Sequence, residues 1–538
     1  MDRAKCNFGS KALSRQIFAT KSIDKLIRES ESPECSLKKT LGPWSLTALG
    51  IGAVIGSGIF TVIGTAIAGQ RFNTSSILNT PVLDYLVRHT AMVGRPGAGP
   101  ALAVSLVLVA IVCGFTGLCY AELASMIPIA GSAYTYGYAT MGELVAWIIG
   151  WALVLEYAFG AATVAVGWSG YVTNLLGSFG LKLPFNPTPA VSFPLFGHAF
   201  SAHVDLFALL AIVVITIILV VGVRESANFN SAAVMVKVSV LFIFIGLAVI
   251  FAFGHWRHMV VNWHPFIPEN LGHFGQFGWS GIMRAAGVVF FAYIGFDAVS
   301  TAAQEARNPQ RDLPFGILGS LIICTVLYII VSGLLTGLKP YTTLNVAAPV
   351  ADGAAAIGVK WGVWLIDVGA IAGLASVMLV MLLGQSRVLY TMAHDGLFWE
   401  WACKIHPRFR TPYITSVVVG IFVALLAAFF PIAFLGELVS LGTLLAFTIV
   451  CLGVWILRVR QPDLHRPFRT PWVPVVPICG MIVSLALMLS LDAPAWIGFG
   501  SWLIVGQIIY FTYSRKHSAV QRALAVGTVK EQDAQVRR

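Results

Sequence analysis

The chain has 538 residues, of which 57% are hydrophobic and only 11% charged. No single soluble core hides so much apolar surface, which excludes an ordinary soluble enzyme or binding domain. The formal net charge of +11 raises nucleic acid as a partner, a reading that the placement of the basic residues removes.

Residues 1–43 read as a polar tail of mixed charge with one short amphipathic helix around Ile17–Ile27. The tail shows no short apolar core followed by a small-residue cleavage site, so the first span is expected to act as its own insertion signal. Hydrocarbon about 30 Å thick takes about 20 apolar residues in helical form. Runs of that kind lie near 44–68, 100–126, 143–177, 204–223, 229–254 and 280–303, then near 313–338, 361–392, 413–433, 435–457, 471–490 and 495–513. They predict an all-α multi-pass membrane protein of twelve transmembrane helices, followed by a basic tail over 515–538. The outer segment 70–99 is longer than a turn requires and holds the apolar patch Pro81–Val87, where a short capping helix is expected. The loop from Gly254 to Trp279 carries His255, His258, His264 and His273. Trp256, Trp263 and Trp279 interleave with them and favour an interfacial aromatic belt over a metal site.

An even number of spans puts both termini on one side. With that side as the cytoplasm, 26 Lys and Arg lie inside and seven outside: Arg71, Arg88, Arg95, Lys182, Arg257, Lys339 and Lys360. The positive-inside rule then predicts a cell (inner) membrane protein with both termini cytoplasmic, and nucleic acid is not needed to explain the charge. The eight cysteines show no paired spacing and none falls in an external loop, against a disulfide framework or a zinc knuckle.

Two spans are interrupted. Leu49–Phe60 contains Gly50, Gly52, Gly56 and Gly58, and Phe290–Asp297 contains Gly295 near its midpoint. The GxxxG pattern from Gly52 to Gly56 often means only close helix packing. Gly56-Ser57-Gly58, however, sets two glycines around a small hydroxyl, which favours unwinding, and unwound backbone at membrane depth is tolerated beside a cavity. Breaks in spans one and six predict a five-helix unit repeated in inverted orientation, the mark of a secondary transporter. N–H groups freed after Gly56–Gly58, at the positive end of a half-helix, suit the carboxylate of an amino acid. Carbonyls freed near Ala53–Ile55 and Phe291–Tyr293 suit its ammonium. The expected substrate site is therefore Ile55, Gly56, Ser57, Gly58 and Ile59 together with Phe291, Ala292, Tyr293, Gly295 and Phe296. Tyr293 and Phe296 read either as aromatic gates or as ordinary core.

Several separate motifs carry a family resemblance. Gly50–Phe60, Tyr120–Ala124 with Ile127–Tyr136, Gly150-Trp151 with Leu155-Glu156-Tyr157, Tyr293–Pro314, and Gly384–Arg387 with His394–Leu397 resemble the amino acid–polyamine–organocation superfamily. Within it they look most like the bacterial branch of the cationic amino acid transporter family, over residues 38–515. The resemblance implies the leucine-transporter-type 5+5 fold: one repeat over 44–254, its inverted partner over 280–460, and two further helices over 461–514, carrying amino acids by alternating access. It also implies a role for Lys237, which matches the family's lysine in the fifth span, where relatives in the wider fold hold sodium. A lone lysine there is costly unless it pairs or releases its proton, so a proton is the expected coupling ion. The bland alternative is a lysine snorkelling to the cytoplasmic end of its span. Sodium sites of the fold use two adjacent hydroxyls in the eighth span, and this chain has Ala375-Ser376; Ser376 enters only if sodium is used. Ala152 stands where the family's Gly-Trp-Asp pattern has an acid, which leaves the side-chain preference open.

Other embedded charges read as secondary. Glu156 is a weaker proton-coupling candidate beside a structural role, and Glu122 is expected to contact Arg387 or a neighbouring loop. Asp297 is placed to steady the cavity or face the inner path, and Arg284, near the outer start of the sixth span, to attract a carboxylate or, as the commoner reading, to anchor at the interface. The sequence thus predicts proton-coupled amino acid uptake across the lipid bilayer, with no cofactor and no metal. An amino acid or polyamine exchanger of the same superfamily is the nearest alternative, followed by a non-transporting amino acid sensor. A membrane enzyme lacks a visible nucleophile elbow or histidine-rich metal pattern, and a channel would line one continuous polar path.

Overall fold

A computed structural model describes residues 20, 41–69, 72–76, 92–94, 97–128, 132–181, 191–195, 198–202, 204–221, 224–407 and 411–525. The helices expected around Ile17–Ile27 and at Pro81–Val87 lie outside the described residues. Within them α1 (Pro43–Val54) starts on a proline, whose missing N–H is one that a first turn leaves unpaired anyway. It is followed by a π-helical turn, Gly58–Val62, and by α2 (Ile63–Ala68), the two together bent 42° from α1. Then come α3 (Leu102–Met126), α4 (Ser132–Thr140), α5 (Glu143–Ser178), α6 (Leu206–Val221), α7 (Arg224–Trp263) and α8 (Gly278–Val289). The second half holds α9 (Pro309–Leu338), α10 (Pro349–Ala356), α11 (Lys360–His394), α12 (Tyr413–Phe429), α13 (Ile432–Arg460), α14 (Val475–Leu489), α15 (Ala493–Ile509) and α16 (Ala519–Ala525).

Among the described residues seven helices are long and apolar enough to cross a membrane, and the bent pair that begins with α1 makes an eighth. α6, α12 and α14 are equally apolar but shorter. α5 is buried along most of its length, from Trp147 to Tyr171, and packs on α11 and α13. α7 turns Phe242, Ile250 and Phe253 outward, the pattern of a helix that faces lipid. α7 also runs through Trp263, so the loop expected from Gly254 begins only at His264, with His255 alone leaving helical geometry.

The bundle is helical as expected, and its connections add a detail that the sequence did not show. Two short antiparallel hairpins lie in connections between helices: β1 (Phe72–Ser76) with β2 (Met92–Gly94), and β3 (Val191–Leu195) with β4 (His198–Ala202). Short alternating segments such as Val191–Leu195 give too weak a signal in a sequence dominated by long apolar runs.

Two buried charges find partners distant in sequence. The Arg284 side chain on α8 is buried among carboxylates: it is 7% exposed, lies 2.5 Å from Asp492 and 3.2 Å from Glu437, and the Asp492 N–H donates to Glu437 at 3.1 Å. The triad bolts α8 to α13 and to the start of α15. Arg284→Met is expected to strand two buried carboxylates side by side, costing about 3–5 kcal/mol. Thermal unfolding in detergent reads this as a clear fall in midpoint, and an unchanged midpoint would show the triad to be solvated. Glu122 on α3 is not near Arg387, which is exposed. Arg458 grips it with two bonds of 2.9 Å, Arg466 lies at 3.2 Å, and the Thr470 N–H donates at 2.8 Å, so the neighbouring-loop contact is the one that forms.

Candidate functional site

The two broken segments cross, and their glycines explain why they fit. α1 stops because Ile55 swings to extended geometry (φ −70°, ψ 99°) before Gly56 and Ser57 lead into the π turn. After α8 the chain makes a 3₁₀ turn over Phe290–Tyr293, extends at Ile294, passes Gly295 at φ +122° and continues as a 3₁₀ run over Asp297–Glu305. A Cβ on Gly58 would fall on the Ala292 backbone. One on Gly295 would lie 2.8 Å from the carbonyl carbon of Ala53, in a left-handed conformation that side chains disfavour. Each break is thus seated directly on the other.

Backbone bonds tie the crossing at both ends. Leu41 donates to Glu305 O (2.9 Å) and accepts from the Arg307 N–H (2.9 Å), joining the entry to α1 with the end of the 3₁₀ run. At the opposite end the Ala98 N–H donates to Ala66 O, while Gly97 bonds Gly275 and Phe277, at 3.0 Å in each case.

All ten expected substrate residues are buried. The structure brings Gly58 against Ala292, and Ile55–Ile59 into the same crossing. Tyr293 points elsewhere: its hydroxyl donates to Leu106 O on α3 at 3.1 Å. Phe296 packs with Tyr120 and Phe447, ring centres 6.1 and 5.2 Å away. Ser57 Oγ has no hydrogen-bond partner among the described residues. The neighbouring acids are Asp297, whose Oδ1 accepts from the Gly295 N–H at 3.3 Å, and Glu156, both buried and within electrostatic reach of each other.

Lys237 reaches the crossing from α7. Its ammonium donates to Gly52 O in the last turn of α1, one of the four carbonyls that a helix end leaves unpaired, and its stem lies against Gly373 of α11. It is fully buried, so it does not snorkel. Ser376, one turn along α11, donates to Gly373 O at 2.8 Å.

Two tyrosines that the sequence does not single out complete the site. Tyr171 on α5 donates to Phe60 O at 2.6 Å, holding the π turn. Tyr328 on α9 places its hydroxyl 2.9 Å from Val54 O and 3.0 Å from Ala292 O, one carbonyl from each break. A lone tyrosine inside an apolar run reads as core, so only the fold exposes these roles.

A cavity of about 740 Å³ opens between α5, α10 and the end of α12, lined by Ser169, Thr173, Asn174, Asp205, Val346 and Phe430 among others. Neither break lines it, so it is not the chamber expected between them.

A family model described as amino acid permease matches residues 41–512. The chain belongs to that family. The permease is therefore a member of the amino acid–polyamine–organocation superfamily and a multi-pass membrane protein. It is 41% identical to the Branched-chain amino acid permease BcaP of Bacillus subtilis (strain 168), over 94% of this chain and 99% of that one. It is 40% identical to the Methylthioribose transporter of the same organism, with the same coverage of 94% and 99%. Cationic amino acid transporter 4, vacuolar, of Arabidopsis thaliana is 36% identical over 79% of this chain and 64% of that one.

Proposed function

We propose that the permease is a secondary active amino acid transporter, coupled to protons and working by alternating access. The observation that carries this reading is the crossing itself: two interrupted apolar segments seated on each other, with Lys237 bound to a freed carbonyl of the first. Twelve spans accommodate the helices, with α1 and α2 as the first and α8 with its 3₁₀ segments as the sixth. The five-span separation of the breaks supports inverted repeats over 44–254 and 280–460, with two added helices over 461–514. The excess of basic residues at the end that holds α4 and α16 supports cytoplasmic termini in the cell membrane.

In this reading the substrate carboxylate takes the N–H groups after Gly56–Gly58, and the ammonium takes carbonyls of both breaks. Lys237 is the coupling group: charged, it pins Gly52 against α7 and α11; neutral, it releases the end of α1. A sodium ion would meet a positive charge already in place between α1 and α11, which argues against sodium coupling. Glu156, beside Asp297, is the weaker second proton site.

Purified protein in liposomes is expected to take up an amino acid when the outside is acidified, without sodium and without internal substrate. The panel of labelled compounds includes branched-chain and cationic amino acids, polyamines and methylthioribose, the last because a relative bears that name. Uptake that needs preloaded amino acid would replace symport by exchange, and binding without flux would make the protein a sensor.

A further inference from the structure

The Tyr328 hydroxyl stands behind the crossing, on the side of α9, fully buried, with its ring edge-on to Tyr293 at 5.5 Å. It has one proton and faces two acceptors, Val54 O and Ala292 O, that belong to the two breaks. These carbonyls sit in the middle of the two stretches that suit a substrate ammonium. A buried carbonyl left without a donor is costly, and a carrier that reorients empty must bury both with no ammonium present. We propose that Tyr328 is a positioning residue that stands in for the substrate ammonium in the empty carrier, donating its single proton to one break or the other and so permitting the unloaded protein to return.

The inference rests on the transport reading above and adds what separates net uptake from exchange on one scaffold. The loaded carrier brings its own ammonium donors to the breaks and depends little on Tyr328. Among the described residues no other donor lies on these two carbonyls: Lys237 serves Gly52 and Tyr171 serves Phe60.

The test is Tyr328→Phe in liposomes, comparing uptake into empty vesicles with exchange into substrate-loaded ones. Phenylalanine keeps the ring and its packing on Tyr293, and the exchange rate itself reports that the variant is folded. Uptake into empty vesicles is expected to fall about tenfold or more, the effect of losing one buried hydrogen bond from the return step, with exchange within about twofold of wild type. A parallel fall in both modes marks a merely structural tyrosine and overturns the inference, as does an unchanged ratio. A wild-type protein that exchanges but takes up nothing into empty vesicles also overturns it while leaving amino acid transport standing. Only a wild-type protein with no flux of either kind removes the transport reading as well.

Discussion

Gly295→Ala is expected to abolish uptake and to lower the yield of folded protein, and Gly58→Ala to do the same more severely. At Gly295 two penalties add. The backbone sits at φ +122°, which a non-glycine residue adopts only at a cost of about 1–3 kcal/mol. The new methyl would also lie 2.8 and 2.9 Å from the carbonyl atoms of Ala53, and backbone cannot rotate away as a side-chain tip can. At Gly58 the obstacle is the Ala292 Cα and its N, the latter 3.0 Å from the added carbon, so the two breaks must part. Overpacking of that kind costs about 1–3 kcal/mol or more in a rigid site. Uptake per folded molecule, with the thermal midpoint measured alongside, separates lost geometry from lost protein. Wild-type uptake by either variant would show that the segments do not touch in the working protein.

Lys237→Met is expected to remove the pH response of uptake and to cut accumulation by more than about tenfold. Methionine matches the stem that packs on Gly373 but brings no donor to Gly52 O. Under the proposed coupling wild-type uptake rises as the outside pH falls, because protonation restores the ammonium, and the variant gives a flat profile at every pH. Exchange in loaded vesicles should outlast net uptake, since it does not need the proton cycle to complete. An intact pH profile in the variant would assign the coupling to another group, with Glu156 first in line.

The breaks were legible because glycine and serine cluster inside apolar runs where little else interrupts the pattern. Lys237 stood out for the same reason, as a charge within Val234–Phe244. Its partner did not, since Gly52 lies 185 residues earlier and only the fold brings them together. The partners of Arg284 were not legible because Glu437 and Asp492 are 153 and 208 residues away, and a sequence shows an arginine near a span end without its counter-charges. Tyr328 and Tyr171 were invisible as site residues: their rings satisfy the apolar pattern, and their hydroxyls matter only because Val54, Ala292 and Phe60 present carbonyls to them. The hairpins were missed because segments of three to five residues carry almost no periodic signal.

The bonds at Leu41 and at Gly97–Ala98 make the crossed segments a closed frame rather than two loose rods. Pinned at both corners and notched where they cross, the arms behave like a pair of scissors with riveted tips. Tilting one drags the far tip of the other, unless a corner bond first lets go. Leu41 is itself one of those corners, so a pull on it acts on both arms at once.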